Sequence, residues 1–176
     1  DDIKRIANRV RAGRNLQPDS WPNGARVAVL LSFDVDNDTI TIARSENPSI
    51  GAMSQGEYGA RVGLRRVVDL MDRYAIPASF FIPAVSLVLQ PDMVEVIQES
   101  GRHEFGVHGW IHELNTTLDA DTERELVRRA TDYLEEATGR RPVGYRAPSW
   151  NFSPYTLGII QAQGFLYDSS LMADDR

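Results

Sequence analysis

An α/β fold on a mainly parallel sheet is predicted by three features of the 176-residue sequence. Short apolar runs alternate with segments of helical period, which is the pattern of β–α–β units. Some of these runs are nearly continuous rather than alternating, as expected for strands covered on both faces. Polar clusters stand just after the first, third, fourth and fifth runs. On a β/α barrel that position is the C-terminal rim, where catalytic side chains gather.

The elements follow in order. Residues 1–25 are polar and contain Pro18, Pro22 and Gly24, which reads as an N-terminal helix or arm ending in a turn. Arg26–Phe33 (RVAVLLSF) is the first buried strand. Residues 37–56 have no clear period and read as a long loop, a length that is usually functional inside a compact domain. Leu64, Val67, Val68 and Met71 recur at helical spacing, marking an amphipathic helix that ends near Tyr74. Pro77 introduces a second strand, Ala78–Ile82. Pro91 opens a short helix that Gly101 closes. Phe105–Val107 is a third strand. Leu126, Ala130, Tyr133, Leu134 and Ala137 define a helix stopped by Gly139, and Val143–Arg146 is a fourth strand. Ser153 and Pro154 suit a helix start, Gly164 its end, and Phe165–Tyr167 a fifth strand. The division expected is an arm over 1–25 and a catalytic domain over 26–176.

Composition removes several classes of function. Hydrophobic residues make up 42% and charged residues 25%, enough to bury a core, and the net charge is −6. That balance leaves no basic footprint for nucleic acid and no polybasic patch for a membrane. No apolar stretch reaches the roughly 20 residues of a membrane helix. There are no cysteines, so a metal would be held by His and carboxylate. The composition fits a cytoplasmic setting. Acidic α/β enzymes are often homo-oligomers, and subunit number stays open.

The chemistry concentrates in three places. His108 and His112 are two of only three histidines and stand four positions apart. Gly106 and Gly109 around them favour a strand end and turn over a helix. His103–Glu104 does not complete a His-Glu-x-x-His metalloprotease pattern, and His103 reads as structural or as a partner behind a ligand. Asp34 and Asp36 leave the first strand with the same orientation by its period of two. One can bind metal while the other serves as base. Asp38 continues the alternation as a weaker candidate, and Asp168 is either a turn residue or a supporting partner. Arg146 is either a surface arginine in a turn or a guanidinium beside Asp34, gripping the carboxylate by bidentate hydrogen bonds. Trp150 is either core or an aromatic wall for a sugar ring.

Taken together, Ser32–Phe33–Asp34–Val35–Asp36, His108–Gly109–Trp110–Ile111–His112 and Arg146–Ala147–Pro148 resemble the motifs of the polysaccharide deacetylase family, with its chitooligosaccharide deacetylase (NodB) homology domain. Ala78–Ile82 and Gly164–Ser170 also fit, so the resemblance runs from about Ala25 onward. It implies a distorted (β/α) barrel of the NodB type and a divalent metal, Zn²⁺ first with Co²⁺ or Ni²⁺ as alternatives. It implies Asp36, His108 and His112 as ligands, Asp34 as general base tethered by Arg146, and Pro148 and Trp150 at the substrate. The activity implied is hydrolysis of a non-peptide C–N amide bond, foremost N-deacetylation of an amino sugar or of peptidoglycan.

Val35 separates aspartates that are adjacent in most members. That spacing, with Arg-Ala-Pro-Ser-Trp, resembles the branch of intracellular peptidoglycan-deacetylase-like proteins, which also resembles allantoinases and cyclic imide amidohydrolases. Opening a cyclic imide or ureide is therefore the rival activity, and non-catalytic saccharide binding or assembly a third. The family continues to further strands and to a Leu-x-x-His motif whose His is the general acid. No His follows His112, and five strands do not close such a barrel, so the expectation is that C-terminal strands are missing.

Overall fold

The structure, a computed structural model, describes Lys4 and residues 19–172. The arm expected over 1–25 therefore falls largely outside the described residues. Leu31–Ser170 form one compact unit, and the described residues up to Leu30 and from Leu171 group separately. In the latter, Pro22–Gly24 make one 3₁₀ turn, with Ala25 N–H donating to the Pro22 carbonyl at 3.2 Å.

Five strands form one parallel sheet in chain order: β1 (Ser32–Asp34), β2 (Ser79–Ile82), β3 (Glu104–Val107), β4 (Gly144–Tyr145) and β5 (Tyr167–Asp168). Sequential order is that of a singly wound sheet, whose right-handed crossovers carry every helix to one face and curl the other into a barrel interior. Among the described residues the sheet is open, β1 and β5 each having one partner. Between β1 and β2 lie α1 (Thr39–Arg44), α2 (Ile50–Tyr58), a wider π-helical turn over Gly59–Gly63 and α3 (Leu64–Arg73). Then come α4 (Ala84–Leu89) and α5 (Met93–Gln98) before β3, α6 (Ala120–Thr138) before β4 and α7 (Thr156–Ala162) before β5.

The period of two sorts the strand side chains. Phe80, Ile82, Phe105, Val107 and Tyr145 join the core formed with Val68, Leu87, Ile97, Val127, Leu134 and Ile160 of the helices. Ser32, Asp34, Phe81 and Gly106 share the other parity and line up across the sheet in register, Asp34 beside Phe81 and Phe81 beside Gly106. Gly106 has to be glycine there, because a Cβ would come within 2.5 Å of the Phe81 ring. Gly144 makes room for the Tyr167 ring in the same way. Glycines thus let the buried Phe81 ring and the more exposed Tyr167 ring lie against the sheet.

The structure corrects several boundaries. The first strand is three residues rather than eight. Val27, Val29 and Leu30 are 69, 78 and 85% exposed, because an apolar run becomes a buried strand only where other layers cover it. The long loop expected over 37–56 contains α1 and α2. Ser49 Oγ caps α2 by accepting from Ala52 N–H at 3.1 Å, while α1 has no side-chain cap and is tied down by Thr39 Oγ donating to the Asp36 carbonyl at 2.6 Å, so local hydrogen bonds anchor helices whose apolar periodicity is weak. Helix α4 was not anticipated at all: a single turn and a half is too short to show a period. Helix α6 begins six residues before Leu126, where Asp119 caps the N–H groups of Asp121 and Thr122. Gly139, in the left-handed region at φ 71°, ends it as expected. Ser153 accepts from the N–H groups of Tyr155 and Thr156 at 2.9 and 3.1 Å, the start expected for α7.

Candidate active site

Four of the strand ends converge at one rim. Val35 N–H still donates to the Phe81 carbonyl at 2.9 Å, so the chain keeps its strand direction past Asp34 and carries Asp36 over the sheet edge. The carbonyl of Asp36 accepts from Thr39 N–H, Thr39 Oγ and Ser86 Oγ at 3.0, 2.6 and 3.0 Å. Three donors on one carbonyl leave its backbone little freedom.

The segment after β3 is held from two sides. Ala84 and Val85, at the start of α4, donate N–H groups to the carbonyls of Gly109 and Trp110 at 3.2 and 2.9 Å. Glu113 accepts from Trp110 N–H at 2.9 Å and from Ile111 N–H at 2.8 Å. The turn needs left-handed backbone at Gly109 (φ 75°) and at His112 (φ 66°). A Cβ on Gly109 would also stand 2.7 Å from Pro148 Cγ, so glycine permits close approach as well as the torsion. His112 has no such freedom, and a non-glycine residue there stores strain that the surrounding contacts must offset.

Asp36, His108 and His112 each offer a ligand atom, and these lie within 4.8 Å of one another. His108 Nε2 is 3.5 Å from Asp36 Oδ1, and His112 Nε2 is 3.8 Å from Asp36 Oδ2. Ligands on a tetrahedral ion at about 2.1 Å stand about 3.4 Å apart, so the spacing suits a shared cation. His108 Nδ1 lies 2.7 Å from the Arg146 carbonyl. A carbonyl only accepts, so Nδ1 carries the proton and Nε2 turns its lone pair inward, the tautomer a ligand needs.

Electrostatics agree with that use. Burial, then the neighbouring His108 and Arg44 charges, bring the His112 pKa down to about 4. Burial also lowers that of His108, against the opposing pull of Asp34. Both rings are neutral near pH 7. Burial, and secondarily Asp34, push the Asp36 carboxyl up to about 7. Asp36 Oδ1 is buried and accepts no hydrogen bond among the described residues. A divalent cation fits this donor set, since it supplies the positive charge that the half-buried carboxylate and two neutral imidazoles lack.

Asp34 stands beside this centre. Arg146 Nη1 donates to its Oδ1 at 2.6 Å, while Oδ2 lies 3.8 Å from His108 Nε2. The grip is single rather than bidentate. Nη2 is committed to Ser32 Oγ at 2.8 Å and Ser169 Oγ at 2.6 Å, and the guanidinium lies 4.1 Å over the Phe81 ring. Splitting the donors ties the arginine to β1 and to the segment after β5, and leaves one Asp34 oxygen uncommitted.

Other candidates separate from the cluster. Pro148 is buried and packs where the Gly109 turn passes. Trp150 is 63% exposed, so it is not core. Asp38 is buried near Glu57 and lies outside the triad. Asp168 Oδ1 and Oδ2 accept from Ser170 Oγ and N–H at 2.6 and 3.0 Å. His103 takes a structural role, accepting from Ala78 N–H at 3.3 Å with Asp72 at 3.2 Å on its other nitrogen. Sequence reasoning missed Ser86, Arg44 and Glu113. Only Glu113 carried a signal: a carboxylate directly after a turn whose N–H groups have no strand to bond.

Glu113→Gln is expected to lower metal affinity about 10–100-fold, the usual effect of losing a group that orients ligands. Metal titration of the two proteins checks this, and an unchanged affinity would show that the turn holds without the carboxylate.

At the rim of this open parallel sheet a two-histidine, one-aspartate cluster stands beside an arginine-held carboxylate. Residues 56–167 match the family profile described as polysaccharide deacetylase, and the chain belongs to that family. It is 31% identical over 152 residues to the peptidoglycan deacetylase of Helicobacter pylori, covering 84% of this chain and 51% of that protein. It matches the crystal structure of a Mycobacterium smegmatis protein assigned to the polysaccharide deacetylases, with TM-score 0.83 and 38% identity over 90% of this chain and 56% of that one. An allantoinase crystal structure matches with TM-score 0.76 and 26% identity, over 90% of this chain and 61% of that one. The chain spans about half the length of the curated relatives it matches. Among the described residues no helix is long and apolar enough to cross a membrane.

Proposed function

We propose that residues 26–176 carry the catalytic centre of a metal-dependent hydrolase that releases acetate from an N-acetylated amino sugar, with peptidoglycan as the polymer. The observation that carries this reading is the placement of Asp36, His108 and His112 within 4.8 Å of one another beside an arginine-held Asp34. Asp36 and the two Nε2 atoms are the ligands, with Zn²⁺ the first choice and Co²⁺ or Ni²⁺ alternatives. A cation bound there supplies Lewis-acid polarisation of the amide carbonyl and acidifies a water.

The chain's own residues do the rest. Asp34 takes the proton of the attacking water through Oδ2, the oxygen that Arg146 leaves free. Arg146 sets the direction of that carboxylate. His108 keeps its lone pair on the site because its other nitrogen donates to the Arg146 carbonyl. Trp150 offers an exposed face for the sugar.

A second reading is ring opening of a cyclic ureide or imide, favoured by the likeness to an allantoinase structure. One experiment separates the two. The full chain loaded with Zn²⁺, Co²⁺ or Ni²⁺ is incubated with N-acetylglucosamine oligomers, peptidoglycan fragments or allantoin. Acetate release from the saccharides is the expected result, and consumption of allantoin without acetate would replace the deacetylase reading.

A further inference from the structure

Arg44 ends α1 and donates from Nη2 to Ser149 Oγ at 2.9 Å, although the two residues are 105 positions apart. A cation at a helix C-terminus needs no such contact, because the helix's own carbonyls attract it. Here the guanidinium is instead tied to the loop that follows β4. That loop is built for presentation. Ser149 and Trp150 both have φ 52°, left-handed backbone that neither side chain favours. The turn is pinned by Trp150 N–H to the Ala147 carbonyl at 2.9 Å, and by Thr116 N–H to Asn151 Oδ1 at 2.7 Å. The result is an exposed indole next to an exposed, oriented guanidinium.

Arg44 ends the helix that follows Asp36, and its partner Ser149 lies in the loop that follows Arg146, so both flank the rim. Among the described residues no carboxylate pairs with it within 4.0 Å. An arginine held in place by a neutral hydroxyl, without an acidic partner and beside a reaction centre, has donors left for an anion. A planar guanidinium matches a carboxylate better than a lysine would.

We propose that Arg44, oriented by Ser149 and flanked by Trp150, is a specificity residue that binds a carboxylate on the substrate, so that the site prefers an N-acetylated saccharide bearing an acidic group over a neutral one. The proposal rests on the deacetylase reading above and narrows its substrate class. The sugar ring stacks on Trp150 and its acidic substituent meets Arg44, while the acetamido group faces Asp34.

The test compares the metal-loaded full chain on two disaccharides, N-acetylglucosaminyl-N-acetylmuramic acid, which has a carboxylate, and neutral di-N-acetylchitobiose. The expected kcat/KM favours the acidic disaccharide by about tenfold or more, the scale of a charged hydrogen bond. Arg44→Ala is expected to erase most of that preference through KM, and Arg44→Lys to keep part of it. The preference also shrinks as NaCl is raised, because the contact is partly exposed. Equal kcat/KM values that Arg44→Ala leaves in the same ratio overturn the proposal while the deacetylase reading stands. N-acetylglycine turned over as well as the acidic disaccharide overturns it too, by moving the carboxylate to a small amide. No acetate from any of the three overturns both together.

Discussion

Asp34→Asn is expected to lower kcat by about 10²–10⁴-fold, the usual contribution of a general base, while one metal ion per chain stays bound. The two parts follow from one geometry. Asp34 Oδ2 faces His108 at 3.8 Å without belonging to the Asp36–His108–His112 triad, so its loss removes a proton acceptor and no ligand. Asn keeps an oxygen to accept from Arg146, so the arginine is not stranded. Acetate release and metal content measured on the same preparation check this. Turnover near that of the parent would mean that another group takes the proton. Loss of the metal would mean that Asp34 belongs among the ligands.

The second large effect concerns the ligands themselves. His108→Ala, His112→Ala and Asp36→Asn are each expected to weaken metal binding by more than about 100-fold, beyond the range for supporting residues, and to abolish detectable acetate release. Asp36→Asn has a further expected consequence with the opposite sign. Stripped of metal, the parent carries a half-buried carboxylate whose buried Oδ1 is unbonded among the described residues, with Asp34 nearby. Its folded pKa lies above its unfolded value, so the charged form costs stability as pH rises from about 4 through about 7, and that cost is fully present above it. The metal-free variant should therefore melt higher than the metal-free parent at pH 8, by about 2–4 °C for each kcal/mol relieved. Added Zn²⁺ should raise the melting temperature of the parent only. Equal melting of the two stripped proteins would mean that the carboxylate is better solvated than its burial implies.

What the sequence disclosed was whatever repeats with a period or concentrates rare chemistry. Strands β2 and β3 are dense in Phe, Ile and Val, and α3 shows its apolar stripe at Leu64, Val68 and Met71, so these were legible almost to the residue. Asp34, Asp36, His108, His112 and Arg146 stood out as candidates because rare or charged side chains cluster where apolar runs end, and the fold brings them to one rim. Less visible were features set by contacts distant in sequence. Helix α4 is too short to show a stripe, and the exposure of Val27–Leu30 depends on what lies beside β1. The single grip of Arg146 on Asp34 depends on Ser32 and Ser169, which compete for its other nitrogen. Arg44 looks like any basic residue of a polar segment until the fold brings it to Ser149.

Arg146 addresses the centre through two different atoms, its guanidinium toward Asp34 and its main-chain carbonyl toward the ring of His108. Only the first depends on which amino acid stands there. The lock on the imidazole is written into the course of the peptide, since any residue at this position presents the same oxygen. On the proposed reading, a substitution at this position would disturb proton abstraction by Asp34 and leave the lone pair of His108 directed at the cation.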